Sequence, residues 1–219
     1  MNPLIIVGAG GHAREVAQLV ADINQAQPGQ WNLLGFVADL QAANRQPKAL
    51  PAPLLGDLTC LARHPQAQLV VAIGNTAARR EVVQRLRQMH PQLSFATLVH
   101  PRAWLAQRVV LGEGSVVFAG ALINVDVCIG AHASLNLACT ISHDCVLEDF
   151  VNLGPGAHLG GACTVGAGVD VGVGASVRPE ISLAAACVIG AGAAVVKDAA
   201  SACLLAGVPA RPLPPHSST

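Results

Sequence analysis

The chain has 219 residues, enough for one or two domains, and its 13 basic residues balance 13 acidic ones to a net charge of zero. Only 12% of residues are charged, so the basic excess that draws nucleic acid is missing and no nucleic-acid partner is expected. Hydrophobic residues make up 52%, yet no uninterrupted apolar run is long enough to span a bilayer; the excess is accounted for by a buried interior, abundant alanine and faces between subunits, and a soluble oligomer is expected.

Leu4 to Val7 reads as a short buried strand, closed by Gly8-Ala9-Gly10-Gly11-His12. Arg14 to Ile23 predicts a helix with Val16, Leu19, Val20 and Ile23 on one face. A second strand covers Leu33 to Val37 and ends near Asp39; residues 41–53, with three prolines and no periodicity, read as a loop. Leu69 to Ile73 is a third strand, followed by Gly74-Asn75 and a helix from about Ala77 to Met89. Strand, glycine loop, helix, strand is the order of a Rossmann-like parallel α/β domain, placed at residues 1–97, with a ligand crevice at the strands' carboxyl ends.

Gly8-Ala9-Gly10-Gly11-His12-Ala13 superficially fits the G-x-G-x-x-[G/A] pattern. Backbone N–H groups and a helix N-terminus would there face an anion with no side chain in the way. Three readings stay open: a nucleotide sugar, a nicotinamide dinucleotide, or a structural strand-to-helix turn. Asp39 is placed to accept hydrogen bonds from a ribose or sugar hydroxyl.

From Val99 to Val195 an aliphatic residue falls at every sixth position, through Leu105, Leu111, Val117, Ile123, Ile129 and onward, without a slip. Neither a helix nor a simple strand has that period, whereas a triangular coil with one hexapeptide per side does. The coil domain is placed at residues 98–200, with a tail at 201–219 that from Pro209 leaves the coil to pack on a neighbour or fray. The residue after the aliphatic is often glycine, as at Gly112, Gly130, Gly154 and Gly172, which suits corners with unusual backbone angles. Four residues after each aliphatic comes a small or β-branched side chain, including Cys139, Cys145, Cys163 and Cys187, which are expected to be buried fillers. An odd total of seven cysteines and no secretory signal predict a reducing, cytoplasmic setting.

Residues 18 apart should stack one coil above another. By that count His132, His143 and His158 fall on three different sides, so no zinc site is expected. His143 lies two places beyond the inward Ile141, outside the tube near a corner, and the adjacent Asp144 would hold its ring in one tautomer. Gly161, 18 residues on, offers a bare backbone N–H to a developing oxyanion. An ordinary surface histidine is the competing reading.

The motifs Val7-Gly8-Ala9-Gly10-Gly11-His12, Phe36-Val37-Ala38-Asp39, Ala72-Ile73-Gly74-Asn75, Val99-His100-Pro101, His143-Asp144-Cys145, Gly154-Pro155-Gly156-Ala157 and Gly207-Val208-Pro209-Ala210-Arg211 cover nearly the whole chain. Together they resemble the sugar acyltransferases of the sialic-acid O-acetyltransferase and acetylbacillosamine N-acetyltransferase type. The resemblance implies a left-handed parallel β-helix and a homotrimer with acetyl-CoA between neighbouring coils. It implies His143 as general base with Asp144 behind it, and Gly10, Gly11, His12, Asp39, Gly74 and Asn75 at the nucleotide sugar. Asn152, Gly161, Val173, Ala191 and Arg211 would line acetyl-CoA, with no metal involved.

Three positions depart from the family pattern. Asn152 replaces a frequent histidine, Ser142 a frequent glutamate, and Ala38 the first of a frequent aspartate pair. The implied activity is acetylation of the amino group of a nucleotide-linked amino sugar. The alternatives are O-acetylation of sialic acid or another surface sugar, and a non-catalytic sugar-nucleotide-binding scaffold.

Overall fold

The structure is a computed structural model that describes residues 1–38 and 49–213, and it divides into two compact units between Pro101 and Arg102. The first unit is a four-stranded sheet with two long helices. Its elements are β1 (Asn2–Val7), α1 (Gly11–Ala26), β2 (Trp31–Val37), β3 (Leu54–Gly56), a 3₁₀ turn at Leu58–Arg63, β4 (Gln68–Val71) and α2 (Thr76–Met89). All pairings are parallel, in the order β3-β2-β1-β4.

Leu4, Ile5 and Ile6 of β1 are fully buried because a central parallel strand is covered on both faces. The predicted apolar stripe of α1 is buried as well. The helix starts at Gly11, three residues before the expected Arg14, since Gly10 serves as its N-cap. Strand β3 is an addition: three residues beside the prolines carry no alternation from which to read a strand.

After β3 the chain crosses to the other side of β1 to form β4. The sheet therefore reverses its winding between β1 and β4, the switch point where parallel sheets open a ligand crevice.

The second unit is the left-handed β-helix. Each hexad contributes a two-residue strand, and strands 18 residues apart pair in parallel: Cys128 is in register with both Val110 and Val146. Backbone bonds run from coil to coil, such as Cys128 N–H to the Cys145 carbonyl at 3.0 Å. The inward aliphatics are buried from Val117 to Val195, and Cys139, Cys145, Cys163 and Cys187 fill the small inward sites. Burying each such side chain contributes about 1.5–3 kcal/mol relative to exposure.

The corners are built differently from the expectation. In every hexad from Arg108 to Gly192, the residue three places after the aliphatic has φ between +55° and +71°, and nine of these residues are not glycine. The glycines directly after the aliphatics have no such angle. They are needed because a Cβ would meet the next coil: at Gly166 it would lie 2.5 Å from the Ala185 nitrogen.

Two further expectations are corrected. His158 shares a side with Thr140–Ile141, the strand that leads into His143, so the three histidines do not occupy three sides. The tail does not leave at Pro209 either: Leu204–Ala206 continues the coil, and Arg211–Leu213 folds back antiparallel onto it. Among the described residues no helix is long and apolar enough to cross a membrane.

Gly166→Ala should destabilise the coil by about 1–3 kcal/mol through overpacking. Gly120→Ala, at φ +71° with Ala138 no closer than 3.7 Å, should cost about 1 kcal/mol. Chemical denaturation with an unchanged slope checks both.

Candidate functional site

Two loops flank the switch point. Gly8 has φ +126°, and a Cβ there would sit 2.7 Å from the Ala72 carbonyl oxygen, so the loops after β1 and β4 touch through a glycine. The Ala72 N–H donates to the Val7 carbonyl at 2.8 Å. Gly10 and Gly74 are different: a Cβ at either would meet nothing within 4 Å, and neither needs a left-handed backbone. Packing does not require glycine at these two positions, but close approach of a ligand would. No side chain caps α1, so its first turn offers N–H groups and a positive dipole end to an anion.

His12 stands in that first turn with Nδ1 3.1 Å from Glu15 Oε2. Burial pulls its pKa below the ordinary histidine value, Glu15 pulls the other way, and the Arg79 guanidinium adds to the lowering. Asn75 is committed to structure: its Oδ1 accepts the Ala78 N–H at 2.9 Å and caps α2, leaving its amide nitrogen for a ligand. Asp39 lies outside the described residues.

In the β-helix, His143 and Asp144 lie on one edge, with Asp144 at a left-handed position, φ +58°. Their side chains are 58% and 62% exposed, and His143 Nδ1 is 2.7 Å from Asp144 Oδ2. A carboxylate acceptor there places the proton on Nδ1 and leaves Nε2 as the lone-pair nitrogen. Gly161 is directly beneath the ring: a Cβ there would lie 2.7 Å from His143 Nε2 and Cε1. The Gly161 N–H makes no hydrogen bond within the described residues.

One coil before Asp144 on the same edge, on the opposite side from Gly161, Asp126 accepts from Arg108 Nη2 at 2.6 Å. Neither Asp126 nor Arg108 was anticipated, although their 18-residue spacing from each other and from Asp144 is visible in the chain. Cys145, two residues after His143, points inside and donates to the Gly160 carbonyl at 3.2 Å. Its contact with Cys163 and its burial push the thiol well above the ordinary cysteine value, and its sulfur is closed off from solvent.

The expected cofactor residues do not converge on one point of the chain. Gly161 shares the His143 edge. Val173 and Ala191 lie on a different edge, between Gly172 and Gly174 and between Gly190 and Gly192. There Gly156, Gly174 and Gly192, one above another, each have a positive φ and open space where a side chain would stand. Val173 itself is exposed. Asn152 is on the side leading to that bare edge, where its amide donates to Asp170 Oδ1 at 3.0 Å. Arg211 opens the terminal antiparallel strand and is exposed. Among the described residues no three His, Cys, Asp or Glu side chains form a metal cluster.

Residues 3–86 match the PglD N-terminal domain family. The chain is 26% identical over 160 residues to GDP-perosamine N-acetyltransferase of Escherichia coli O157:H7, covering 71% of this chain and 69% of that one. It is 35% identical over 122 residues to UDP-N-acetylbacillosamine N-acetyltransferase of Bacillus subtilis strain 168, covering 54% and 52%. Its structure is similar to that of a histidine-to-asparagine variant of perosamine N-acetyltransferase from Caulobacter crescentus, solved with CoA and GDP-perosamine. That pair has a TM-score of 0.87, 32% identity and 98% coverage of both chains.

His12 should titrate below the usual histidine pKa, and Glu15→Ala, which removes both the hydrogen bond and the charge that raise it, should lower it further. Imidazole NMR across pH 4–8 (about the range a histidine titration needs) reads both.

Proposed function

The chain belongs to the family of hexapeptide-repeat amino-sugar acyltransferases that includes the perosamine and bacillosamine N-acetyltransferases, and we propose that it transfers an acetyl group from acetyl-CoA to the amine of a nucleotide-linked amino sugar. The observation that carries this reading is the His143–Asp144 pair on an exposed edge, with Gly161 making room for the ring.

In the proposed reaction the sugar amine attacks the thioester carbonyl carbon of acetyl-CoA. Nε2 of His143 takes the amine proton while Asp144 holds Nδ1–H and stabilises the imidazolium that forms. The tetrahedral oxyanion accepts the Gly161 N–H, then collapses with cleavage of the carbon–sulfur bond, and CoA leaves as its thiolate. Transfer is direct, because the motif cysteine is sealed inside the tube. A general base contributes about 10²- to 10⁴-fold, so holding the two substrates together supplies much of the rest.

The N-terminal unit binds the nucleotide sugar. Its uncapped α1 and the bare Gly10, Gly11 and Gly74 receive the diphosphate, with His12, Asn75 and Asp39 as side-chain partners. Acetyl-CoA lies along the bare edge that carries Val173 and Ala191, and Asn152 and Arg211 contribute along its length. That edge and the His143 edge are different corners of one triangular coil. A neighbouring copy is therefore needed to bring a thioester to the base, which favours a homotrimer.

The N-acyl reading is favoured over O-acetylation of a free sugar by the uncapped start of α1 and the unfilled space at Gly10 and Gly74, which suit an anionic, nucleotide-linked acceptor. Thiol release from acetyl-CoA should follow addition of a UDP-, GDP- or dTDP-linked amino sugar and should not follow sialic acid. Release with sialic acid alone would overturn the acceptor assignment. His143→Ala should lower turnover at least about a hundredfold while melting temperature and CoA affinity hold. Near-wild-type turnover would remove His143 from the chemistry.

A further inference from the structure

Arg79 is 2% exposed, one of few charged residues so deeply placed in this chain. It belongs to the first turn of α2, where a guanidinium at the positive end of a helix dipole is unfavourable. Burying a charge is costly unless the surroundings use it. Its surroundings are the site itself. Nη1 donates to the Ile73 carbonyl at 2.7 Å and to the Gly74 carbonyl at 3.2 Å. Those carbonyls belong to the β4 loop, which Gly8 holds against the β1 loop. The guanidinium also acts electrostatically on His12 in the opposite loop.

We propose that Arg79 is the positioning residue of the nucleotide-sugar site: it turns the Ile73 and Gly74 carbonyls inward, so that the β4 loop presents its N–H groups rather than its carbonyls to the diphosphate, and it sets a buried positive charge behind both loops. The proposal rests on the reading of the switch point as the nucleotide-sugar site.

A carbonyl left pointing at the crevice would repel a diphosphate. One guanidinium nitrogen holds both carbonyls, its two N–H bonds fixed in the plane of the group, whereas a lysine ammonium rotates freely. Behind the loops, in a low-dielectric setting, its charge also acts on the anion with little screening. Arg79 need not touch the substrate for either effect.

The test uses the full chain with acetyl-CoA and the nucleotide-linked amino sugar found in the thiol-release assay. Arg79→Met should raise KM for the nucleotide sugar at least about tenfold, the loss of about one charged hydrogen bond. Turnover at saturating sugar and CoA affinity by calorimetry should stay within about threefold, since neither depends on these loops. His12 should titrate at higher pH in this variant, a spectroscopic sign that the removed charge had been felt across the site. Arg79→Lys, the milder change, should lie between Met and wild type and stands in should the Met variant unfold.

An unchanged KM in a folded Arg79→Met variant would overturn the proposal, as would a parallel loss of turnover and CoA affinity, which marks a merely structural arginine. Failure of wild-type protein to bind any nucleotide sugar would instead overturn the site reading, and the proposal with it.

Discussion

Every coil of the second unit must hydrogen-bond to the next with an 18-residue register, and that one requirement arranges everything else there. Because the backbone bonds run along the axis, each side chain stacks on residues 18 before and after it. The edges become straight columns, each with one left-handed residue per coil. A column can be specialised as a whole: one carries Arg108, Asp126 and Asp144 beside His143, and another is reduced to glycine over three coils. Chemistry is thus placed by count, since a residue's number modulo 18 fixes its edge.

The N-terminal unit solves a different problem. A parallel sheet collects its strand ends on one side, and winding reverses between β1 and β4, whose loops meet at Gly8. The glycines of these loops divide by cause. Gly8 is imposed by the neighbouring backbone, while Gly10 and Gly74 face open space. Only the second kind speaks of a ligand, and the distinction is invisible in a glycine-rich motif read as letters.

The coil was legible because its period is strict: one aliphatic every six residues sufficed to place strands, inward cysteines and the outward His143. The reason for the glycines was not legible. A sequence shows that glycine follows the aliphatic, but only the packed coil shows that a Cβ would strike the adjacent turn. Strand β3 was too short to carry a pattern, and Arg79 looked like any surface arginine on a helix with several. Its burial depends on which helix face meets the β4 loop. The pairing of His143 with Asp144 could be read from adjacency, whereas the support of the ring by Gly161 needed the coil register to become a contact.

The last strand of the coil differs from all the others in direction. A stack of parallel turns ends in a row of backbone groups ready to accept another turn, from the same chain or a stranger. By doubling back, Arg211–Leu213 spends that row on an antiparallel partner, and Pro212 has no N–H to extend it. On that side of the coil the outermost strand is thus an antiparallel one, less suited to receive a further parallel turn.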